Sequence, residues 1–174
     1  MDSITRIEAF RDFFHYGTKE KMQEAFARLA LHKALHVDYS WDEEEFLFNK
    51  LFIGPMSPFA PMTASVYLEP DGKINKTTTQ KIKSLYFEAG LELEGVGSFP
   101  EDNLSFELEA LRILKALCAV DENFLPIYQE LLCEHMSKWI PLFVSRAKEG
   151  TQAETAVFHV LTLLDEWIKN EVAS

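Results

Sequence analysis

The 174 residues have the length of one ordinary domain, and 47% hydrophobic with 26% charged residues is the balance of a chain that folds rather than stays disordered. Against 17 basic residues stand 28 acidic ones, a formal net charge of -11, which disfavours a nucleic-acid partner and suits a cationic one, although acidity by itself also serves solubility. No run approaches the ~18 to 20 apolar residues of a membrane span, and the acidic opening Met-Asp-Ser-Ile-Thr-Arg-Ile-Glu is unlike a secretory leader, so a cytoplasmic protein is expected.

Apolar residues recur at helical spacing from the start. Ile4, Ile7, Phe10 and Phe14 form one stripe and Met22, Phe26, Leu29 and Ala30 a second, with Gly17-Thr18 between them as stop and cap. Ser40 reads as the cap of a third helix, rich in early acid at Asp42 to Glu45 and running through Leu51 and Phe52. It must stop near Gly54-Pro55, because residues 54–61 hold three prolines and one glycine. A short turn or helix over Ser65 to Leu68 precedes the Pro70-Asp71-Gly72 turn; Val66-Tyr67-Leu68 is the one passage with an ambiguous period. Ile82, Leu85, Tyr86 and Ala89 predict another helix.

Residues 92–100 carry Gly95 and Gly97 without period and read as a hinge between two helical halves. Beyond them, Leu104, Leu108, Leu111, Leu114 and Cys118 make one core-facing stripe, and Phe124, Ile127, Leu131 and Leu132 another. Pro141 should kink or restart the chain, and a last helix through Val157 to Ile168 takes Thr151 as its cap. The expected fold is therefore all-α: a single-domain helical bundle over residues 1–174 with a proline-rich loop. Cys118 and Cys133 sit within helical patterns as free thiols and imply no disulfide framework.

Spacing argues against catalysis. The seven glycines form no phosphate loop, no Cys-x-x-Cys occurs, and no histidine has Glu three residues before it as a helical di-iron site requires. His32 and His36 lie one turn apart, but no Glu follows His32, and a polar helix face explains them better than a metal. Glu134 and His135 are adjacent on a helix and so point in different directions. No catalytic residue, metal site or cofactor is expected.

Two passages differ from ordinary bundle sequence. Residues 51–68, Leu-Phe-Ile-Gly-Pro-Met-Ser-Pro-Phe-Ala-Pro-Met-Thr-Ala-Ser-Val-Tyr-Leu, join large apolar side chains to stiff backbone, which suits either a buried loop or a pre-ordered groove. Residues 100–108, Pro-Glu-Asp-Asn-Leu-Ser-Phe-Glu-Leu, put acid at a helix start, where Asp102 makes a good cap. Their order resembles the TorD/DmsD/NarJ-like redox-enzyme maturation chaperones, which share Leu-Phe-x-Gly-Pro, then Ala-Pro and Ser-Val-Tyr-Leu, then Glu-Pro-x-Asp-His with Glu-Leu beyond. A weaker match is Glu134-His135-Met136-Ser137-Lys138-Trp139-Ile140-Pro141-Leu142-Phe143, similar to the family's His-Leu-x-x-Trp-x-Pro-x-Phe. Phe99 stands where the family has acid and Asn103 where it has histidine.

The resemblance implies an all-helical cytoplasmic chaperone, monomer or homodimer, that makes transient contact with the export machinery. Its partner would be an apo, molybdenum-cofactor-dependent redox enzyme subunit, held at its twin-arginine leader until the cofactor is loaded. A chaperone for a leaderless subunit is the runner-up, favoured by Phe99 and Asn103; a small helical hydrolase or nucleotide-binding protein and a structural subunit are more remote. The peptide site implied comprises Phe52, Gly54, Pro55, Pro58, Ala60, Pro61, Ser65, Tyr67, Leu68, Pro100, Glu101, Asp102, Asn103 and Glu107, with Phe52, Pro55, Pro58, Pro61 and Tyr67 as apolar walls and Glu101, Asp102 and Glu107 as the charge.

Overall fold

The structure, a computed structural model, describes residues 2–30, 38–55, 57–92 and 99–174. The expected hinge over 92–100 falls mostly outside the described residues, as does the His32 and His36 pair.

Helix α1 (Ser3–Tyr16) opens on Asp2, whose carboxylate accepts the Thr5 N–H at 3.0 Å, and closes on Gly17 at φ 62°. Glycine is required there twice over: the backbone is left-handed, and a Cβ would stand 2.6 Å from the Phe48 ring. Helix α2 (Lys19–Ala30) returns along α1, and α3 (Trp41–Phe48) follows. Ser40 precedes α3 but its side chain makes no cap bond. The helix does not end at Phe48; it widens into a π-helical turn, Asn49–Ile53, and stops at Gly54 with φ 60°.

After the proline-rich loop comes the single turn α4 (Ser65–Leu68), so the ambiguous Val66-Tyr67-Leu68 is helical. Helices α5 (Thr77–Glu88) and α6 (Leu104–Cys118) follow, then a 3₁₀ turn over Glu122–Phe124 and α7 (Leu125–Gln129). A second π-helical stretch, Glu130–Met136, leads into α8 (Ser137–Glu149), and α9 (Ala156–Val172) completes the chain. Among the described residues there is no strand, only one isolated antiparallel bridge between Thr63 and Asn103. No described helix is long and apolar enough to cross a membrane.

Three local expectations are corrected. Pro141 does not restart the chain, for α8 runs through it; proline costs a helix one hydrogen bond and crowds the carbonyl four residues back, and here Trp139, Ile140 and Phe143 are buried around it. The cap of α9 is Thr155, whose side chain accepts the Phe158 N–H, while Thr151 lies one turn earlier and bonds Thr155 through its hydroxyl. Asn103, not Asp102, caps α6: its Oδ1 accepts the Ser105 N–H at 3.1 Å. Both cysteines are free and half-buried.

One contiguous apolar cluster runs from Ile7 on α1 to Ile168 on α9. Its centre is aromatic, with Phe13, Phe14 and Phe48 meeting edge-on or tilted and Phe14 reaching Phe52 and Phe143. Each fully buried ring of this kind contributes about 1.5–3 kcal/mol through burial alone. Glu44 joins distant parts of the chain: from the first turn of α3 its carboxylate accepts the Ala156 and Val157 N–H groups at 2.8 and 3.0 Å, holding the positive end of α9.

Candidate peptide-binding site

The proline-rich loop and the stretch before α6 are paired backbone to backbone. Ala64 N–H donates to Asp102 O at 2.9 Å and Leu104 N–H to Met62 O at 2.9 Å, which makes the Thr63–Asn103 bridge. The loop is also tied to the helix before it, where Ala60 N–H donates to Leu51 O at 2.8 Å. Proline fixes φ at three positions of the loop, and these bonds close its ends.

Between them lies a small groove of about 170 Å³, lined by Phe52, Ile53, Pro58, Pro61, Met62, Thr63, Phe99 and Asn103. Four of the expected residues meet there: Phe52, Pro58, Pro61 and Asn103. Ile53 and Phe99 also line it and are 44% exposed each. Periodicity did not mark them, since one ends a π-helical turn and the other follows an aperiodic segment. Pro55 is exposed, Gly54 and Leu68 half-buried, and none of these lines the groove. Pro100 is half-buried and Ala60 and Ser65 are buried, and none of the three lines it either.

The acids of the second passage point inward. Asp102 is fully buried: its Oδ2 accepts the Ser65 N–H at 2.7 Å and its Oδ1 the Thr79 hydroxyl at 2.9 Å, so it joins the loop to α5. Glu101 accepts the Tyr86 hydroxyl at its carbonyl, 3.2 Å away, and pairs its carboxylate with Lys83 at 2.8 Å. Glu107 is fully buried on α6, with Oε1 2.6 Å from His135 Nε2 and Oε2 accepting the Trp139 indole N–H at 2.9 Å. Burial pushes the Glu107 carboxyl above its ordinary range, and His135 and the indole oppose that shift. The third, weaker motif thus supplies the partners of the second. Tyr67 bridges back to the first: its hydroxyl donates to Pro61 O at 2.9 Å and its ring stacks on Trp139. Burial raises the Tyr67 phenol well beyond its ordinary range, so it remains a donor at any physiological pH.

The groove is therefore lined mostly by apolar side chains, with Thr63 and Asn103 as its polar members, and the described residues hold no group of three or more metal-ligating side chains.

The family model described as nitrate reductase delta subunit matches residues 17–145, about three-quarters of the chain. Among solved structures, a protein from Archaeoglobus fulgidus assigned to redox enzyme maturation superposes with a TM-score of 0.66 at 16% identity, covering 100% of this chain and 96% of that one, and shares its fold. No curated protein sequence matches. The chain belongs to the nitrate reductase delta subunit family, the NarJ/TorD-type redox-enzyme maturation chaperones, whose members bind a client rather than catalyse a reaction.

Proposed function

We propose that this chaperone holds an immature, molybdenum-cofactor-dependent redox subunit in the cytoplasm by seating an apolar client segment in the groove between Phe52, Ile53, Pro58, Pro61 and Phe99. The observation that carries the reading is the exposure of Ile53 and Phe99 on either side of a proline-rich loop whose ends are closed by backbone bonds, so that the loop side of the groove has little ordering entropy left to lose on binding. Release would follow cofactor loading.

The client segment is read in two ways. A twin-arginine leader, a basic stretch followed by an apolar one, is supported by the net charge of -11, which attracts and orients a cation. A segment of a leaderless subunit is supported by Phe99 and Asn103 at the groove and by the inward aim of Asp102 and Glu107, which leaves neither acid available to an arginine. The two separate by titration calorimetry with a synthetic leader peptide and the same peptide carrying glutamine for both arginines. The leader reading expects binding near 1 μM, about -8 kcal/mol, lost with the arginines and weakened by salt. Equal binding of both peptides selects the leaderless reading. Phe99→Asp is the test of the groove itself; a variant that still binds like wild type removes the site assignment.

A further inference from the structure

We propose that Glu107 and Trp139 are positioning residues that set the walls of the groove without touching its occupant, an inference that rests on the groove reading above. Neither residue lines the groove, and both are fully buried. His135 and Trp139 are four residues apart and so share one face, at the junction of the π-helical stretch with α8, and both meet the same carboxylate at 2.6 and 2.9 Å. That pairing fixes the plane of the indole.

Two contact routes lead outward from it. In the first, the indole stacks on Tyr67 with centroids 5.9 Å apart and planes 26° apart, and the Tyr67 hydroxyl holds Pro61 O, one wall of the groove. In the second, Phe143 packs on Trp139 at 5.9 Å and on Phe52, another residue of the groove's lining, at 5.6 Å. Phe143 also meets Tyr67 edge-on at 6.2 Å, which braces one route against the other. Rings packed at interior density cannot turn independently, so the orientation of Trp139 is transmitted to Pro61 and Phe52 together. Once the indole is released, the walls lose their fixed spacing and an occupant must order them on arrival, which weakens its affinity.

The test uses the full chain and two readouts. Amide exchange at Ala60, Ala64 and Leu104, whose N–H groups close the loop, reports wall order with no client present. Calorimetry with the leader peptide reports binding. Trp139→Phe keeps a ring and deletes the indole N–H; it should speed exchange at those three amides by roughly two- to twelve-fold, the range of one net hydrogen bond, and lower peptide affinity by a similar factor. Amides of α1 should keep their protection. Tyr67→Phe should act in the same direction, and the double variant should lose little more than the larger single one, because the two changes lie in series. Glu107→Gln retains an acceptor for the indole and should lie closer to wild type than Glu107→Ala in both readouts. The proposal is overturned if Trp139→Phe binds peptide like wild type, or if α1 amides accelerate as much as those of the loop, which would mean a general loss of stability. Failure of the groove reading shows separately, in the wild-type background, as Phe99→Asp binding unchanged.

Discussion

Glu107 and Glu109 stand two residues apart on α6, and the two faces of that helix hold a carboxylate in different ways. On the inner face Glu107 is dry and takes one directed bond to each oxygen, from His135 and Trp139. On the outer face Glu109 is partly solvated, bonded by Arg112 at 2.7 and 2.9 Å and by Arg11, which also binds Asp12; Asp12 in turn binds Arg28. Inside, the geometry is fixed and every partner is lost if the acid goes. Outside, water and neighbouring charges substitute readily, so the network links α1, α2 and α6 without depending on any one member.

The sharpest way to break this contrast is Glu107→Ala. It leaves the indole N–H and the imidazole unpaired in the core, and the expected loss is about 3–5 kcal/mol, a melting temperature lower by on the order of 10 °C. A variant that melts within a degree of wild type would make the inner face no different from the outer.

Next is Asp102→Asn. Were Asp102 a helix cap, asparagine would replace it with little change, since the two cap about equally well. Because Asp102 instead accepts from both Ser65 N–H and Thr79, the amide puts an NH₂ where one of those donors points, and thermal unfolding should register a loss of about 1–3 kcal/mol. Asp121→Asn is the internal control: Asp121 does cap an exposed 3₁₀ turn, accepting the Asn123 N–H at 3.0 Å, and should hardly move. Equal melting of the two variants would restore the capping role.

Glu44→Ala removes the acceptor for two N–H groups at the start of α9, with an expected loss of about 1–2 kcal/mol in urea unfolding. The smallest effect belongs to Glu109→Ala, under about 1 kcal/mol and smaller still in high salt. It also carries a pH signature. The bonds from Arg112, with Arg11 beside them, hold the Glu109 carboxyl below its ordinary range. A folded-state pKa below the unfolded value means a contribution that is full above the ordinary carboxylate pKa, about 4.3, and lost as pH falls through the folded value. Melting curves from pH 5 downward should therefore fall less steeply for Glu109→Ala than for wild type. Parallel acid limbs would exclude the shift.

Helix positions were readable because apolar period depends on local spacing alone, and the stripes at Ile7, Phe10 and Phe14 or at Leu104, Leu108 and Leu111 are all buried as expected. The proline-rich loop was readable for the same reason, and four of the residues assigned to the site line one groove. What escaped was the destination of polar side chains. Asp102 and Asn103 are adjacent and both able to cap; the choice is made by Ser65 and Thr79, which sequence places 37 and 23 residues away from Asp102. Glu44 looks like any acid in a first turn until α9, 112 residues on, lays its amides against it. The two π-helical stretches leave no compositional trace, yet one delivers Ile53 to the groove and the other His135 to Glu107.

The bridge between Thr63 and Asn103 bears on how this chaperone comes into being. Its partners are forty residues apart, with α5 between them, so the loop must wait for that helix to dock before it can close. Local helices form earlier, since their contacts are near in sequence. A chain that has its helices but not this closure lacks the pairing that frames the groove, so the groove is a late product of folding and its presence reports that the loop has closed.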